Sequence, residues 1–478
     1  MKIRTTSSLL ALSLLLSACA VGPDYERPTA PTPTSFKETE GWKVSQPQAV
    51  DADPNWWSIF NDPVLDGLEK DVTVNSQNIL AAEAAYRAAM ATVDQADAAL
   101  FPVIGVNGGF TRAKGSTVDP LSGNRVSSVG NEITAGATAS WSLDVWGKLR
   151  RTIEAAQATA DSSGDQLAAA RLTAQSALAS NYFSLRGADE LKRLLDATVV
   201  AYEKSLQITQ NQYKSGTAAK SDVDQALTQL ETTRSQAIAV GTTRAQLEHA
   251  IAVLLGKAPA EFSLAVAPDL ADTPSFPVTV PSVLLERRPD IAAAERQMAS
   301  ANANIGVAIA AYYPDLTFSA STTNSASTFG QLFKAGNNVW SFGPNLAETV
   351  IDWGARGAQV DQARATYDQQ VANYRQTVLT AFQQVEDDMI ALTLLARQGE
   401  VEDRAVTAAV EAEKLITNQY RAGTVAYTSV VTAQAAALQA KQSALTIRQT
   451  RLTTAVALLQ AMGGGWKDPK LADASPSR

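Results

Sequence analysis

The chain has 478 residues, of which 45% are hydrophobic and only 6% aromatic, and its formal charge is -8. The acidic balance argues against nucleic acid as a partner, and an Ala-heavy, aromatic-poor composition suits closely packed helices. One histidine, His249, and one cysteine, Cys19, leave no Cys–His dyad, no zinc constellation and no intrachain disulfide. No catalytic residue, metal site or cofactor is expected, and the chain does not read as an enzyme.

Residues 1–18 read as an export signal. Lys2 and Arg4 form its positive end and Leu9 to Leu16 its apolar core, which is too short to span a bilayer as a helix. Leu16-Ser17-Ala18-Cys19 matches the lipobox of bacterial lipoproteins, so Cys19 is expected to become a lipid-modified N-terminus. Ala20 follows, not Asp, which favours the outer membrane. No later stretch holds 18 consecutive apolar residues, so any crossing of a membrane would use strands. Residues 19–62, with Pro23, Pro28, Pro31, Pro33, Pro47 and Pro54, read as a lipid-anchored extended tail. Trp56-Trp57-Ser58-Ile59-Phe60 is expected to pack that tail on the body.

The rest of the chain is written twice. Ile79 to Pro102 aligns with Ile291 to Pro314 at a shift of 212, with 10 of 24 positions identical. Asn211 to Val223 aligns with Asn418 to Val430 at a shift of 207, with 7 of 13 identical, and Trp146-Gly147 returns as Trp353-Gly354. Residues 63–257 therefore form repeat one and 289–465 repeat two, joined by a proline-rich linker over 258–288 and followed by a polar tail, 466–478. Each repeat predicts one helix (64 to about 100 in the first), two strands and a long helical hairpin. Repeat one holds five extra residues before its Trp-Gly pair, expected in the loop between its strands.

The strands show period-two alternation. Ile104, Val106 and Phe110 face one way in the first, and Ala137, Ala139, Trp141, Leu143 and Val145 in the second. Leu316, Phe318 and Ala320, then Trp340, Phe342 and Leu346, do so in repeat two. The segments between them, roughly 113 to 131 and 324 to 338, are rich in Gly, Ser, Thr and Asn and read as loops. No proline occurs from 121 to 258 or from 345 to 468. Helices over about 147 to 213 and 354 to 420 would each be on the order of 100 Å long at about 1.5 Å per residue. Return helices are expected over 219 to 255 and 427 to 462. Gly216 and Gly423 mark the hairpin tips as left-handed helix caps.

Four strands cannot close a transmembrane barrel, and an open edge cannot face lipid. Several chains must combine if these strands span a membrane. At this point a resemblance appears. The lipobox, Val21-Gly22-Pro23-Asp24-Tyr25, the Trp-Trp-Ser-Ile-Phe-Asn-Asp-Pro run from Trp56, Arg288-Pro289-Asp290-Ile291, Ile305-Gly306-Val307-Ala308 and the two Tyr-x-x-Gly tips closely resemble the outer-membrane factor family. The match is to its TolC-like channels, in the lipoprotein branch that includes OprM and NodT.

The resemblance implies a mixed α+β fold, mostly helical. It implies a homotrimeric, 12-stranded transmembrane β-barrel, four strands per chain, continued by a long periplasmic α-helical barrel. It also implies docking to a periplasmic adaptor protein and an inner-membrane RND-type pump, and residence in the outer-membrane lipid. The expected role is a passive exit duct for drugs or other small toxic compounds. A duct for metal ions or for type I protein secretion, and a lipid-anchored coiled-coil protein without a pore, remain alternatives. Carried over position by position, Tyr213, Gly216, Thr217, Tyr420, Gly423 and Thr424 belong to the adaptor-docking tips. Asp222 can accept a hydrogen bond from a tyrosine of another hairpin or cap its own helix. Where relatives carry acidic gate residues on repeat two, this chain has Ser429 and Thr432. Asp222 and Asp224 of repeat one are then the candidates for a negative aperture.

Overall fold

The computed structural model describes residues 20–38, 55–118, 120–121, 123–267, 270–274 and 287–466. The signal segment 1–18, Cys19, part of the linker and the tail beyond Trp466 lie outside them. The chain is mostly helical with one four-stranded antiparallel sheet. After a 3-10 turn at Trp56–Phe60, repeat one runs α1 (Pro63–Asn75), α2 (Gln77–Ala98), β1 (Val103–Val118), β2 (Arg125–Leu143), α3 (Lys148–Lys214) and α4 (Lys220–Leu254). Repeat two runs α5 (Pro289–Ala310), β3 (Asp315–Ala326), β4 (Asn338–Ala347), α6 (Ala355–Arg421) and α7 (Tyr427–Ala461).

The shifts read from the sequence hold residue for residue. Adding 212 to the bounds of α2 gives those of α5, and adding 207 to those of α3 and α4 gives α6 and α7. The long helices of 67 residues each are unbroken, about 100 Å long at about 1.5 Å per residue.

Two expectations need correction. The helix expected from 64 to about 100 is two helices, because Ser76 adopts an extended conformation with ψ 121° at the end of a Val-Thr-Val-Asn run. The β-branched and Asn residues there compete poorly for helix, and α2 starts afresh where Pro289 opens its counterpart. The extra residues of repeat one, in turn, lengthen its strands and not its loop. β1 and β2 pair from Val103 opposite Ser140 to Val118 opposite Arg125, so most of the expected loop 113 to 131 is strand. Beyond Arg112 the side chains lose their alternation, and the backbone ladder alone carries the hairpin.

Contacts divide the chain into two compact units. The described residues of one lie within 20–29, 86–163 and 294–374, and it contains the sheet. Here the tail is clamped. Val21 N donates to Trp146 O at 3.1 Å, and the buried Arg151 donates to Val21 O and to Asp24 Oδ1 at 3.2 and 2.8 Å. Gly22, at φ 100°, lies on Gly306, where a Cβ would come within 2.4 Å of Gly306 Cα. Arg27 reaches Glu295 at 3.2 Å. The Val-Gly-Pro-Asp-Tyr and Ile-Gly-Val-Ala motifs are thus two halves of one contact. At the end of β2, Trp146 stacks on Tyr313 at 4.9 Å and donates Nε1–H to Pro314 O at 2.9 Å.

The other unit, whose described residues lie within 30–38, 55–85, 164–274, 287–293 and 375–466, holds both hairpins. Trp56, Trp57 and Phe60 are buried there, with Phe60 4.8 Å from Phe183. Asp62 caps α1 and accepts from the Tyr182 hydroxyl at 2.5 Å. Arg288 of the linker motif donates to Ala461 O and Gln384 Oε1. Glu69 is fully buried and neither carboxylate oxygen has a hydrogen-bond partner; burial pushes its pKa up to about 9, so it sits neutral at physiological pH.

Candidate functional site

Two features carry the chemistry that a duct needs: a sheet with two unlike faces, and a pair of hairpin tips.

The sheet order is β1-β2-β3-β4, with β2 and β3 joining the repeats. Opposed residues share a face. Ile104 lies opposite Ala139, Val106 opposite Ala137 and Phe110 opposite Ile133. Trp141 lies opposite Phe318, and Leu143 opposite Leu316. Leu316 lies opposite Leu346, Phe318 opposite Pro344 and Ala320 opposite Phe342. One face is therefore continuously apolar over these pairs; in the single chain its outer strands are exposed, Val106 at 87% and Phe342 at 68%, while Ile133 between them is buried. The reverse face carries Asn107, Thr111, Thr134, Thr138, Ser319, Ser321, Ser341 and Asn345, small and polar throughout. Among the described residues, β1 and β4 each keep one edge without a strand partner. No described helix is long and apolar enough to cross a membrane.

The tips are built alike. In the first, Gly216 at φ 79° receives the chain end of α3: Gly216 N donates to Tyr213 O and Thr217 N to Gln212 O, at 3.0 and 2.8 Å. In the second, Gly423 at φ 75° repeats this with Tyr420 O and Gln419 O at 2.9 and 3.0 Å. This is the left-handed C-cap that glycine adopts without strain. Thr217 and Thr424 add the same hydroxyl bond to the Gln carbonyl. A Cβ on either glycine would meet nothing within 4 Å, so both tips are bare.

Their surroundings differ. Tyr213 is 47% exposed. Tyr420 is folded inward, 5.1 Å from the ring of Tyr427, which is buried with Ala226 and Val430 and flanked by Leu206. Ser205 of α3 bonds the Tyr427 hydroxyl at 3.1 Å, so tip two is fastened to hairpin one. The Tyr420 hydroxyl, Gln212 Oε1 and Gln225 Oε1 are buried without a hydrogen-bond partner. Burial, with the charge of Asp222 nearby, raises the pKa of Tyr420, and burial also raises that of Tyr427.

Asp222 takes the second of its two expected roles within the chain: its carboxylate accepts from Ala219 N at 3.3 Å at the start of α4. Ala219 has no side-chain acceptor, so only this half of a capping box exists. Asp224 is ion-paired with Lys220 at 2.6 Å. Ser429 N closes the matching turn on Ala426 O, and the Thr432 hydroxyl bonds Thr428 O in its own helix. The burial of Tyr420 against Tyr427 was missed from sequence; its signal was Tyr427 itself, which replaces Lys220 of the first copy.

The family model described as "Outer membrane efflux protein" matches residues 68–257 and 280–464. The chain is 30% identical over 469 residues to the probable efflux pump outer membrane protein TtgC of Pseudomonas putida, covering 96% of each. It is equally similar, at the same coverage, to the antibiotic efflux pump outer membrane protein ArpC of that species. Among solved structures, the outer-membrane channel OprN superposes with a TM-score of 0.86 at 27% identity, over 94% of this chain and 100% of that one. The chain belongs to the outer membrane efflux protein family. It is the outer-membrane channel of an efflux pump, a transport protein and not an enzyme.

Proposed function

We propose that three copies join into one duct that carries small toxic organic compounds out through the outer membrane. The observation that carries this is the sheet: one face apolar, the other small and polar, and, among the described residues, four strands with both edges open. Two copies would give eight strands, a barrel filled by its own side chains; three give twelve and leave a lumen. The apolar face meets lipid and the polar face lines the passage. The substrate class follows from ArpC and from the toluene efflux pump protein TtgC of Pseudomonas putida, whose names record antibiotic and toluene efflux. Cys19 carries the lipid anchor, and the tail after it is clamped from Val21 onward on Trp146 and Arg151.

The tips serve as the adaptor-facing end, where an inner-membrane RND-type pump is coupled through a periplasmic adaptor. Gly216 and Gly423 present backbone alone, Thr217 and Thr424 stiffen the turn, and Tyr213 offers an exposed ring. Tyr420 supports its tip from within. Asp222 and Asp224 supply the charge nearest the aperture, and the second tip carries the uncharged Ser429, counterpart of Asp222, and Thr432.

Planar-bilayer recording tests the duct: the purified oligomer should conduct, and no conductance even after tip substitution would overturn it. Gly216→Glu and Gly423→Glu should each abolish efflux while the oligomer still assembles, since no neighbour crowds the new side chain. Gly216→Asn, which tolerates a left-handed backbone, controls for strain. Normal drug tolerance in both Glu variants would refute docking at the tips. Replacing the signal and Cys19 by a cleavable, non-lipidated signal should leave partial function, because one acyl chain anchors only marginally.

A further inference from the structure

The hairpin of repeat one runs on where the rest of the sheet stops. The outermost pair that joins β2 to β3 is Ile133 opposite Ala326, level with Phe110 of β1. Beyond it, from Arg112 opposite Asn131 to Val118 opposite Arg125, β1 and β2 stand as a two-stranded ribbon. This is the stretch by which β1 and β2, of 16 and 19 residues, outreach β3 and β4, of 12 and 10.

The register sorts the charges of this ribbon. Even-numbered residues of β1 share a face with odd-numbered residues of β2. Arg112, Lys114 and Arg125 therefore lie on one face, the face that carries Ile104, Val106 and Phe110 lower down. All three are exposed, and none has an ion-pair partner among the described residues. The reverse face pairs Thr111, Ala113, Gly115 and Thr117 with Glu132, Gly130, Ser128 and Val126. Its one acid, Glu132, accepts from the Ser325 hydroxyl at 2.9 Å. From 111 to 131 the sequence holds three cations and one acid, Asp119, in a chain whose net charge is -8. Repeat two has no matching pair of cations: at the shift of 212, Arg112 and Lys114 fall on Asn324 and Ala326. Charges that only guard a strand edge against stray pairing could sit on either face; here all three share one.

Their height is set by the strand. Measured from Ile104, Arg112 lies about 27 Å and Lys114 about 34 Å along β1, at about 3.4 Å per residue. A tilt of about 40° turns these lengths into about 21 and 26 Å of height, against an apolar band about 25 Å tall. Arg112 and Lys114 thus fall at the upper border of that band, and Arg125, opposite Val118, stands about 10 Å higher on the same scale.

We infer that Arg112, Lys114 and Arg125 form a binding site for the phosphate groups of an outer-leaflet glycolipid. The inference rests on the reading that the apolar face meets lipid, and adds what that face meets at its upper border. The tail joins at Trp146 and α3 leaves at Lys148, both just past the base of β2, so the ribbon is the end turned away from the periplasm. A guanidinium takes a phosphate by two parallel hydrogen bonds, and an ammonium binds one as a compact point charge. Long cationic side chains at this border lay their stems on acyl chains and keep their heads among the headgroups.

The combined variant Arg112→Gln, Lys114→Gln and Arg125→Gln tests the site on the whole channel in phosphatidylcholine vesicles, with purified lipopolysaccharide as the probe. The wild-type channel should bind the probe. The variant should bind it at least about tenfold more weakly, the loss of one charge-assisted hydrogen bond, with single-channel conductance unchanged. Lipopolysaccharide stripped of its phosphates should bind both channels alike, at the level of the variant. Ala113→Arg with Thr117→Arg, added to the variant, returns charge to the reverse face and should not restore binding; restoration would overturn the assignment to one face. Equal affinity of wild type and variant in conducting channels would overturn the site and leave the lipid-facing sheet standing. A wild-type chain that neither enters vesicles nor conducts would overturn both. Displacement of the probe by equimolar inorganic phosphate, or equally tight binding of phosphatidylglycerol, would overturn the glycolipid as the ligand.

Discussion

The two hairpin tips share a backbone and differ in attachment. Both end a 67-residue helix with the same glycine cap, the same Gln carbonyl acceptor and the same threonine hydroxyl bond. Yet tip two is fastened to hairpin one through Tyr420, Tyr427 and Ser205, whereas tip one presents Tyr213 to solvent and an exposed Lys220–Asp224 pair. The repeated residues write the turn, and the unrepeated ones decide which tip is a support and which is free. The pair Lys220 and Tyr427 shows this in one position: the same first residue of the return helix is a surface charge in one copy and a buried ring in the other.

The largest effect should come from removing that ring. Tyr427→Ala is expected to destabilise the helical hairpins by about 3–5 kcal/mol, as for other buried aromatics. Tyr213→Ala should stay within about 0.5 kcal/mol, as surface changes do. Denaturant unfolding followed by circular dichroism compares them, and equal effects would erase the distinction between support and free tip.

Much of this fold was legible because glycine and proline punctuate it. Helix bounds read from Gly216, Gly423 and the proline-free runs fall within one or two residues of α3, α4, α6 and α7. The strands were legible where apolar and polar residues alternate, and were lost within the expected loop 113 to 131, where residues 113–118 pair with 125–130 through the backbone. The glycine tips were legible too, since a left-handed cap has a residue signature. The clamp of Gly22 on Gly306 and the stacking of Tyr420 on Tyr427 were not, because each joins segments distant in sequence and no local pattern marks the partner. The motifs around Gly22 and Gly306 were visible as words without their meaning.

A medium effect should separate the two hydroxyls of tip two. Tyr427→Phe loses the bond to Ser205 and should cost about 1 kcal/mol. Tyr420→Phe removes a hydroxyl that is buried without a partner, and should be neutral or stabilise by up to about 1 kcal/mol. Alkaline titration gives the same contrast a sign. Both tyrosines have folded pKa values raised above 10.0, so the unfolded chain ionises first and stability falls as pH climbs past 10. Each Phe variant should flatten that fall; an unchanged slope would place the phenols in water.

The cap of α4 comes next. Asp222→Ala should cost about 0.5–1 kcal/mol, the range of a lost helix cap, while Ser429→Ala, whose side chain occupies the equivalent third position of α7, should cost less. If Asp222 instead ties one copy to the next, its replacement will weaken the oligomer more than the isolated chain, and sedimentation of the variant would reveal this.

The smallest effect on stability falls on the Lys220–Asp224 pair, and there the comparison of tips turns from folding to transport. The pair is exposed and spaced i, i+4, so neither Lys220→Ala nor Asp224→Ala should shift the melting temperature measurably. Their charges nevertheless sit near the proposed aperture, where like charges from three copies would face one another. Lys220→Ala leaves the carboxylate unopposed and should raise the preference of the open channel for cations. Asp224→Ala should lower it, and high salt should shrink both effects together by screening. Thr432→Ala, an uncharged position in the first turns of the return helix of tip two, should leave the reversal potential where it is. Identical reversal potentials in all three variants would mean that the free tip, for all its charge, does not face the passage.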